Sequence, residues 1–342
     1  MNKILKDVVQ WGLALVLSML MLNGATFLFY HPVNELFRNG GSTPGLMYPY
    51  MWGLYGNEGY GIQTIDRNGY VNPDLPLEES YYIIVGASHT EGFHTGRNKR
   101  FSDLLNYRFG YVDSLKFYNI AHSDFFYDDI VKHFRGMCME FPNMQGVVIE
   151  IGSTYYSVES LRDSTDQIGY TEEDSIESLT SSLSLKDECI LKIKDYFPFI
   201  RVLAAQYETY KNFNKMSIPV GNNNINISLD DYKAALSATM DLIREEFSGS
   251  IVVVYHPMTV LDADGNLIIV SCETDPIFEE ECFKHNISFI NMADSFEEAY
   301  YEKNIAVYGF WNTTMMEGHI NDYCHELIAD KLYVYFSEEG LN

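Results

Sequence analysis

Basic residues are scarce in this chain of 342 residues: 23 lysines and arginines stand against 48 acidic residues, a net charge of −25. A surface of that sign repels nucleic acid and anionic lipid, so a role that tracks phosphate backbones is excluded and no nucleic-acid partner is expected. Metal-binding cysteine patterns are missing too. The five cysteines (Cys138, Cys189, Cys272, Cys282 and Cys324) form no Cys-x-x-Cys pair. An odd count cannot pair completely within one chain, and spacing alone leaves a Cys272–Cys282 bridge open. His319 and His325 lie too far apart for one helical face, so neither a metal nor any other cofactor is expected. There is no Gly-x-x-x-x-Gly-Lys loop and no Gly-x-Gly-x-x-Gly after the first strand, which sets aside nucleotide binding. Internal repeats are absent as well.

Charge is also missing from one long stretch. After Lys3 and Lys6, the chain from Val8 to Tyr30 carries no charged residue. As a helix rising about 1.5 Å per residue it would cover the roughly 30 Å core of a bilayer. Trp11 at one end and Phe27, Phe29 and Tyr30 at the other suit the two interfaces. Lysines before the span favour a cytoplasmic N-terminus and place the rest of the chain outside. A cleaved signal peptide is the competing reading, but the apolar run is long for one, and Asn23-Gly24-Ala25 is a poor cleavage site. Residues 1–30 are therefore read as a single uncleaved membrane anchor, with an extracytoplasmic domain behind it.

Residues 31–79 are rich in Gly, Pro, Tyr and Asn and read as an irregular juxtamembrane lead-in. From residue 80 to 342 strands and helices alternate. Strands are expected at 81–85, 117–121, 147–151, 251–255 and 287–291. Each is a nearly continuous apolar or β-branched run, as when both faces of a parallel strand are covered. Helices are expected at 101–109, 127–140, 229–247, 276–285 and 319–336. The pattern predicts an α/β class: a three-layer α/β/α sandwich around a mostly parallel five-stranded sheet. Residues 155–220 break the rhythm and read as a helical insertion. Following the C-terminal end of a strand, it serves as a lid over the ligand edge or as a passive surface addition; the sequence leaves both open.

Two short blocks could carry chemistry. Gly86-Ala87-Ser88-His89-Thr90-Glu91-Gly92 ends the first strand in a small-residue turn, and Glu317-Gly318-His319-Ile320-Asn321 precedes the last amphipathic stretch. A serine hydroxyl needs a base within hydrogen-bond reach and a third group to orient that base. Ser88, His319 and Glu317 offer these three types. The ends of the first three strands, at Ser88, Asn119 to Asp124 and Gly152-Ser153-Thr154, would gather along one sheet edge, where backbone N–H groups can face an oxyanion. Taken singly, Ser88 could be only a helix cap, Asn119 is read as structural, and His89, His122 and His256 as polar loop residues.

These blocks resemble the SGNH, or GDSL-type, hydrolases and O-acyltransferases. The similarity spans roughly 62–340 and begins with Asp66-Arg67-Asn68-Gly69-Tyr70, like the family's Asn-x-x-Gly-[Phe/Tyr] element. The first block keeps the family's Gly-Asp-Ser-x-Thr-x-Gly except for Ala87. The last block, through His325 and Ala329, is similar to Asp-Gly-His-x-Asn-x-x-Gly-His-x-x-x-Ala. The resemblance implies a flavodoxin-like SGNH fold, Ser88 as nucleophile, His319 as base and Glu317 as orienting acid. It implies an oxyanion hole from Ser88, Gly152, Thr154 and the segment ending at Asp124. Three departures stand out. Met316 occupies the position of the strict Asp-x-x-His acid, the second block has no glycine, and Thr154 replaces an asparagine. The resemblance further implies a membrane-tethered esterase or O-acetyltransferase acting on an acylated cell-surface or exported glycan, with a membrane acyltransferase as a candidate partner. A degenerate relative that binds glycan or a membrane partner without turnover is the alternative.

Overall fold

The computed structural model describes residues 3–29, 52–55, 58–73, 75, 77, 80–110, 115–167, 197, 199, 200, 203, 207 and 228–338. The acidic part of the insertion around 171–175 and most of its 191–210 stretch lie outside the described residues, so its reading as a lid rests on sequence alone.

An N-terminal helix, α1 (Lys3–Phe29), is long and apolar enough from Lys3 to Thr26 to cross a membrane. Within the lead-in, β1 (Trp52–Tyr55) and β2 (Gly61–Thr64) pair antiparallel, so this segment holds a hairpin where none was expected.

The turn Gly86-Ala87-Ser88 follows a strand of a five-stranded sheet made of β3 (Tyr81–Val85), β4 (Lys116–Asn119), β5 (Met144–Ile151), β6 (Ser250–Tyr255) and β9 (Ser288–Asn291). Its order is β4-β3-β5-β6-β9 and every pairing is parallel. All five strands fall where their apolar runs predict. Alternate residues of β3 feed two cores: Tyr81, Ile83 and Val85 face one, Tyr82 and Ile84 the other.

Over the first core lie α4 (Tyr127–Glu140), α5 (Val158–Asp166), α6 (Leu229–Glu246) and α7 (Asp275–Lys284). Helix α4 buries Tyr127, Ile130, Val131, Phe134 and Met137, a helical spacing that gives it one apolar stripe. The other face is covered by α3 (Phe101–Arg108), α8 (Ala293–Lys303) and α9 (Asp322–Glu338). A short α2 (Ser88–Glu91) follows β3, and a hairpin of β7 (Thr259–Leu261) and β8 (Leu267–Ile269) follows β6. Helix α8 and this hairpin were not expected from the sequence.

Helix α9 begins at Asp322, not at His319. Asn321 accepts from the N–H groups of Tyr323 and Cys324 and caps the helix, leaving His319 in the loop before it. Cys272 and Cys282 are free thiols, the latter buried in the core. In sheet order the chain leaves β3 toward β4 on one side and returns to β5 on the other. Ligands of open α/β sheets sit at such a reversal, beyond the strands' carboxyl ends. Ser88 and Gly152 flank it.

Candidate active site

Ser88 opens α2 directly after the turn Gly86-Ala87. Its Oγ lies 2.8 Å from Nε2 of His319, joining the two positions that the sequence singles out. On the far side of the ring, Nδ1 lies 2.7 Å from Oε2 of Glu58. The other carboxylate oxygen, Oε1, accepts the backbone N–H of His319 at 2.5 Å. A carboxylate on Nδ1 fixes the proton there and leaves the Nε2 lone pair facing the serine hydroxyl.

Glu317, expected in the orienting place, is not brought to the imidazole. Its side chain is exposed, and its backbone N–H donates to Thr314. The reason is local backbone. Gly318 adopts φ +83°, and a Cβ there would collide with Oε1 of Glu58. The glycine leaves the space that Glu58 fills above the His319 N–H. Met316, three before the histidine, turns at φ +67° and buries its thioether against the Thr259 hydroxyl, 3.4 Å away. Neither local acid position can serve.

Glu58 itself arrives from the β1–β2 hairpin. Gly59 at φ +66° packs so closely that a Cβ would collide with the His94 carbonyl oxygen. The Asn312 side chain clamps this turn: its Oδ1 accepts from Gly59 N at 2.8 Å and its Nδ2 donates to Gly59 O at 3.2 Å. Gln63 on β2 donates to the carbonyls of Gly92 and Thr95, tying the hairpin to the loop after α2. Burial raises the Glu58 carboxyl, but hydrogen bonds and charge from His319 outweigh this and hold it below the usual carboxylate range. Glu58 escaped the sequence reading. Its only signal was a lone carboxylate between glycines in Gly56-Asn57-Glu58-Gly59-Tyr60-Gly61.

The expected oxyanion donors divide. Gly152 is exposed at the end of β5 and, with Ala87, His89, Phe126, Tyr155 and Tyr156, lines a cleft of about 520 Å³ beside the serine turn. Ser88 contributes the first N–H of α2, which has no earlier helical carbonyl to bond. Thr154 does not face the cleft. Its side chain is fully buried, and its hydroxyl lies 2.8 Å from the Thr274 hydroxyl and donates to Asp275 at 2.5 Å. Asp124 is exposed in a turn at φ +62°, and Asn119 donates to the Thr90 carbonyl as a structural residue.

His256, read as a loop residue, is wholly buried. Its Nε2 bonds Glu150, and its Nδ1 lies 2.7 Å from the Tyr308 hydroxyl. Glu150 also accepts from Thr90 at 2.6 Å. Burial raises the Glu150 carboxyl, but His256 overcomes this and brings it down to about 2. The His89 ring stands between the two pairs, 4.9 Å from His256 and 4.8 Å from His319. His94 stacks on His319 at 3.7 Å between ring centroids. Among the described residues, one cluster could hold a metal: Glu58, His94 and His319 bring ligand atoms within 4.8 Å of one another.

No family model matches the sequence, and no curated protein matches it. Solved structures do. The chain is similar to a lipolytic G-D-S-L family protein from Veillonella parvula, at 13% identity over 75% of this chain and 98% of that one, with a TM-score of 0.37. It is similar to the esterase EstA from a Pseudoalteromonas species, at 11% identity over 77% and 99%, with a TM-score of 0.38. An acetyl xylan esterase is similar at 13% identity over 75% and 98%, with a TM-score of 0.38. At identities this low, the geometry of the site has to carry any functional reading.

Proposed function

We propose that the protein is a serine esterase or acyl-transfer enzyme whose nucleophile, base and orienting acid are Ser88, His319 and Glu58. The observation that carries this reading is the unbroken chain from the Ser88 hydroxyl through both ring nitrogens of His319 to a carboxylate. His319 takes the hydroxyl proton at Nε2 as Ser88 attacks an acyl carbonyl, and Glu58 stabilises the imidazolium that forms. His319 then returns the proton to the leaving alkoxide, and an acyl-serine remains. Water or a second hydroxyl, activated at the same Nε2, releases the acyl group. The oxyanion is held by the N–H groups of Ser88 and Gly152 at the mouth of the cleft.

The cleft supports an ester on a saccharide. Phe126, Tyr155 and Tyr156 offer flat apolar surfaces along it, and Trp311 stands exposed on the loop that carries Asn312. We propose an acylated cell-surface or exported glycan as the substrate class. In this reading α1 tethers residues 80–342 on the outer face of a membrane, with the hairpin of the 31–79 lead-in supplying the acid and a membrane acyltransferase as a partner. A second reading, glycan binding without turnover, is favoured by one observation. The Thr154 hydroxyl is committed to Asp275, so one expected oxyanion donor is missing. Each such donor is worth about 3 kcal/mol of transition-state stabilisation.

Turnover of p-nitrophenyl acetate and acetylated oligosaccharides, together with labelling by a fluorophosphonate, separates the two. Ser88→Ala should abolish labelling and lower turnover by about 10⁴-fold or more. A wild-type chain that neither labels nor turns over assigns the protein to binding. Turnover that survives Ser88→Ala removes the nucleophile assignment.

A further inference from the structure

The spacing of histidines and cysteines in the sequence points to no metal site, but folding gathers three ligand-type side chains from three loops. Oε2 of Glu58 lies 2.7 Å from Nδ1 of His319 and 4.0 Å from Nδ1 of His94. The two imidazoles are stacked with 24° between their planes, and their Nδ1 edges face the same carboxylate oxygen. Two imidazoles and one carboxylate are an ordinary ligand set for zinc. Bonds of about 2.0–2.1 Å in a tetrahedron place neighbouring ligand atoms about 3.3 Å apart. The two separations from Glu58 Oε2 bracket that value, and because stacked rings aim their lone pairs side by side, the His94 ring has to turn out of the stack for its Nδ1 to reach the same ion.

We infer that Glu58, His94 and His319 form an inhibitory binding site for a zinc-like divalent cation, set on the same imidazole that serves Ser88. The inference rests on the catalytic reading only for its consequence, not for the site itself. With a cation on Nδ1, the single proton of the neutral His319 ring moves to Nε2. Nε2 then has no lone pair to accept the Ser88 proton, and nucleophilic attack stops. The Glu58 carboxylate offsets one of the two charges, and a water completes the coordination. No covalent bond is broken, so a chelator restores the resting tautomer.

His94 makes the site testable, because it belongs to the metal cluster and has no part in the proton transfer. The full chain in detergent is titrated with zinc chloride against a chromophoric chelator, and ester turnover is followed in parallel. Wild type should bind one zinc per chain and lose turnover as it fills, with recovery on EDTA. His94→Phe, which keeps a flat ring on His319, should lose at least about tenfold in zinc affinity, and whatever turnover it keeps should resist the zinc concentrations that silence wild type. Ser88→Ala has no turnover in either case, yet should bind zinc like wild type and melt at higher temperature in its presence. Equal zinc affinity in wild type and His94→Phe overturns the site. A wild-type chain that binds zinc but never turns over an ester keeps the site and removes only the esterase reading. A second variant, His94→Asn, repeats the comparison with a small polar side chain. If both folded variants bind as wild type does, the inference is lost.

Discussion

Two carboxylate–imidazole pairs lie at the same end of the sheet, and their difference shows how the surroundings decide what such a pair does. Glu150 and His256 belong to the ends of β5 and β6 and are sealed from water. The bond from His256 Nε2 to the Glu150 carboxylate uses the ring proton, so Nδ1, 2.7 Å from the Tyr308 hydroxyl, is the acceptor there, with the carbonyl oxygens of His256 and Pro257 at 2.8 and 3.1 Å from the same hydroxyl. The pair serves to lock strands, α2 and the Tyr308 loop together. Glu58 and His319 have the same chemistry but a different third partner. They come from a hairpin and a loop, His319 is partly exposed, and the remaining ring nitrogen meets a serine hydroxyl at the rim of a cleft. A proton can move there because solvent reaches it.

Glu58→Gln gives the largest effect that this comparison predicts. The amide can donate to Nδ1, which favours the tautomer with its proton on Nε2 and takes the lone pair away from Ser88. Turnover should fall by about 10³–10⁴-fold, or about 4–5.5 kcal/mol of barrier, with little change in melting temperature. Glu317→Gln should alter turnover by less than about threefold. If the two variants exchange these results, Glu317 is the orienting acid after all.

The inner pair should respond in the opposite way. His256→Leu leaves Glu150 buried with Thr90 as its hydrogen-bond partner among the described residues, and removal of one member of a buried pair costs about 3–5 kcal/mol. Urea unfolding should register that loss. A variant with unchanged stability and lost turnover would show that the inner pair acts in the chemistry instead.

How far the sequence reveals this arrangement depends on what each residue answers to. All five sheet strands are legible as short, nearly continuous apolar or β-branched runs bounded by turn residues, the pattern of strands covered on both faces. Ser88 and His319 stand out because each sits in a glycine-marked turn with a recognisable spacing. Glu58 is hidden because its role comes from a long-range approach over Gly318, which leaves no periodicity near either residue. Thr154 occupies the expected place in the chain, but its buried hydroxyl found a carboxylate in α7 first. His256 looks like a loop residue because its partner, Glu150, sits inside an otherwise apolar strand. The start of α9 is misplaced by three residues because the cap is Asn321, a helix-start signal that the reading from His319 passes over.

Acid should separate the two regions further. Burial, then the charge of His319, pushes His94 down to about 3, and burial, then Arg100, does the same for His325. Both are lowered from 6.5, so between that pH and about 3 the unfolded chain binds more protons than the folded one. Stability from these groups is complete above pH 6.5 and declines as pH falls. From pH 7 to pH 4 the loss should be roughly 3 kcal/mol for each ring, about 6 kcal/mol for the two, and His325→Phe should recover about half of it. A flat melting temperature over that interval would mean that neither ring is held neutral by burial.

The smallest effect tests whether the rim pair depends on its hairpin. Asn312 makes both hydrogen bonds to the backbone of Gly59, one residue from the carboxylate that holds His319. Asn312→Ala removes a donor and an acceptor at a partly buried turn, worth about 1–2 kcal/mol. The fold of the sheet should not notice, because the turn lies outside both cores. Glu58 gains freedom, so the loss should appear in kcat and leave KM nearly unchanged, by about 5–30-fold. Raised KM with constant kcat would instead place Asn312, beside the exposed Trp311, in contact with the substrate.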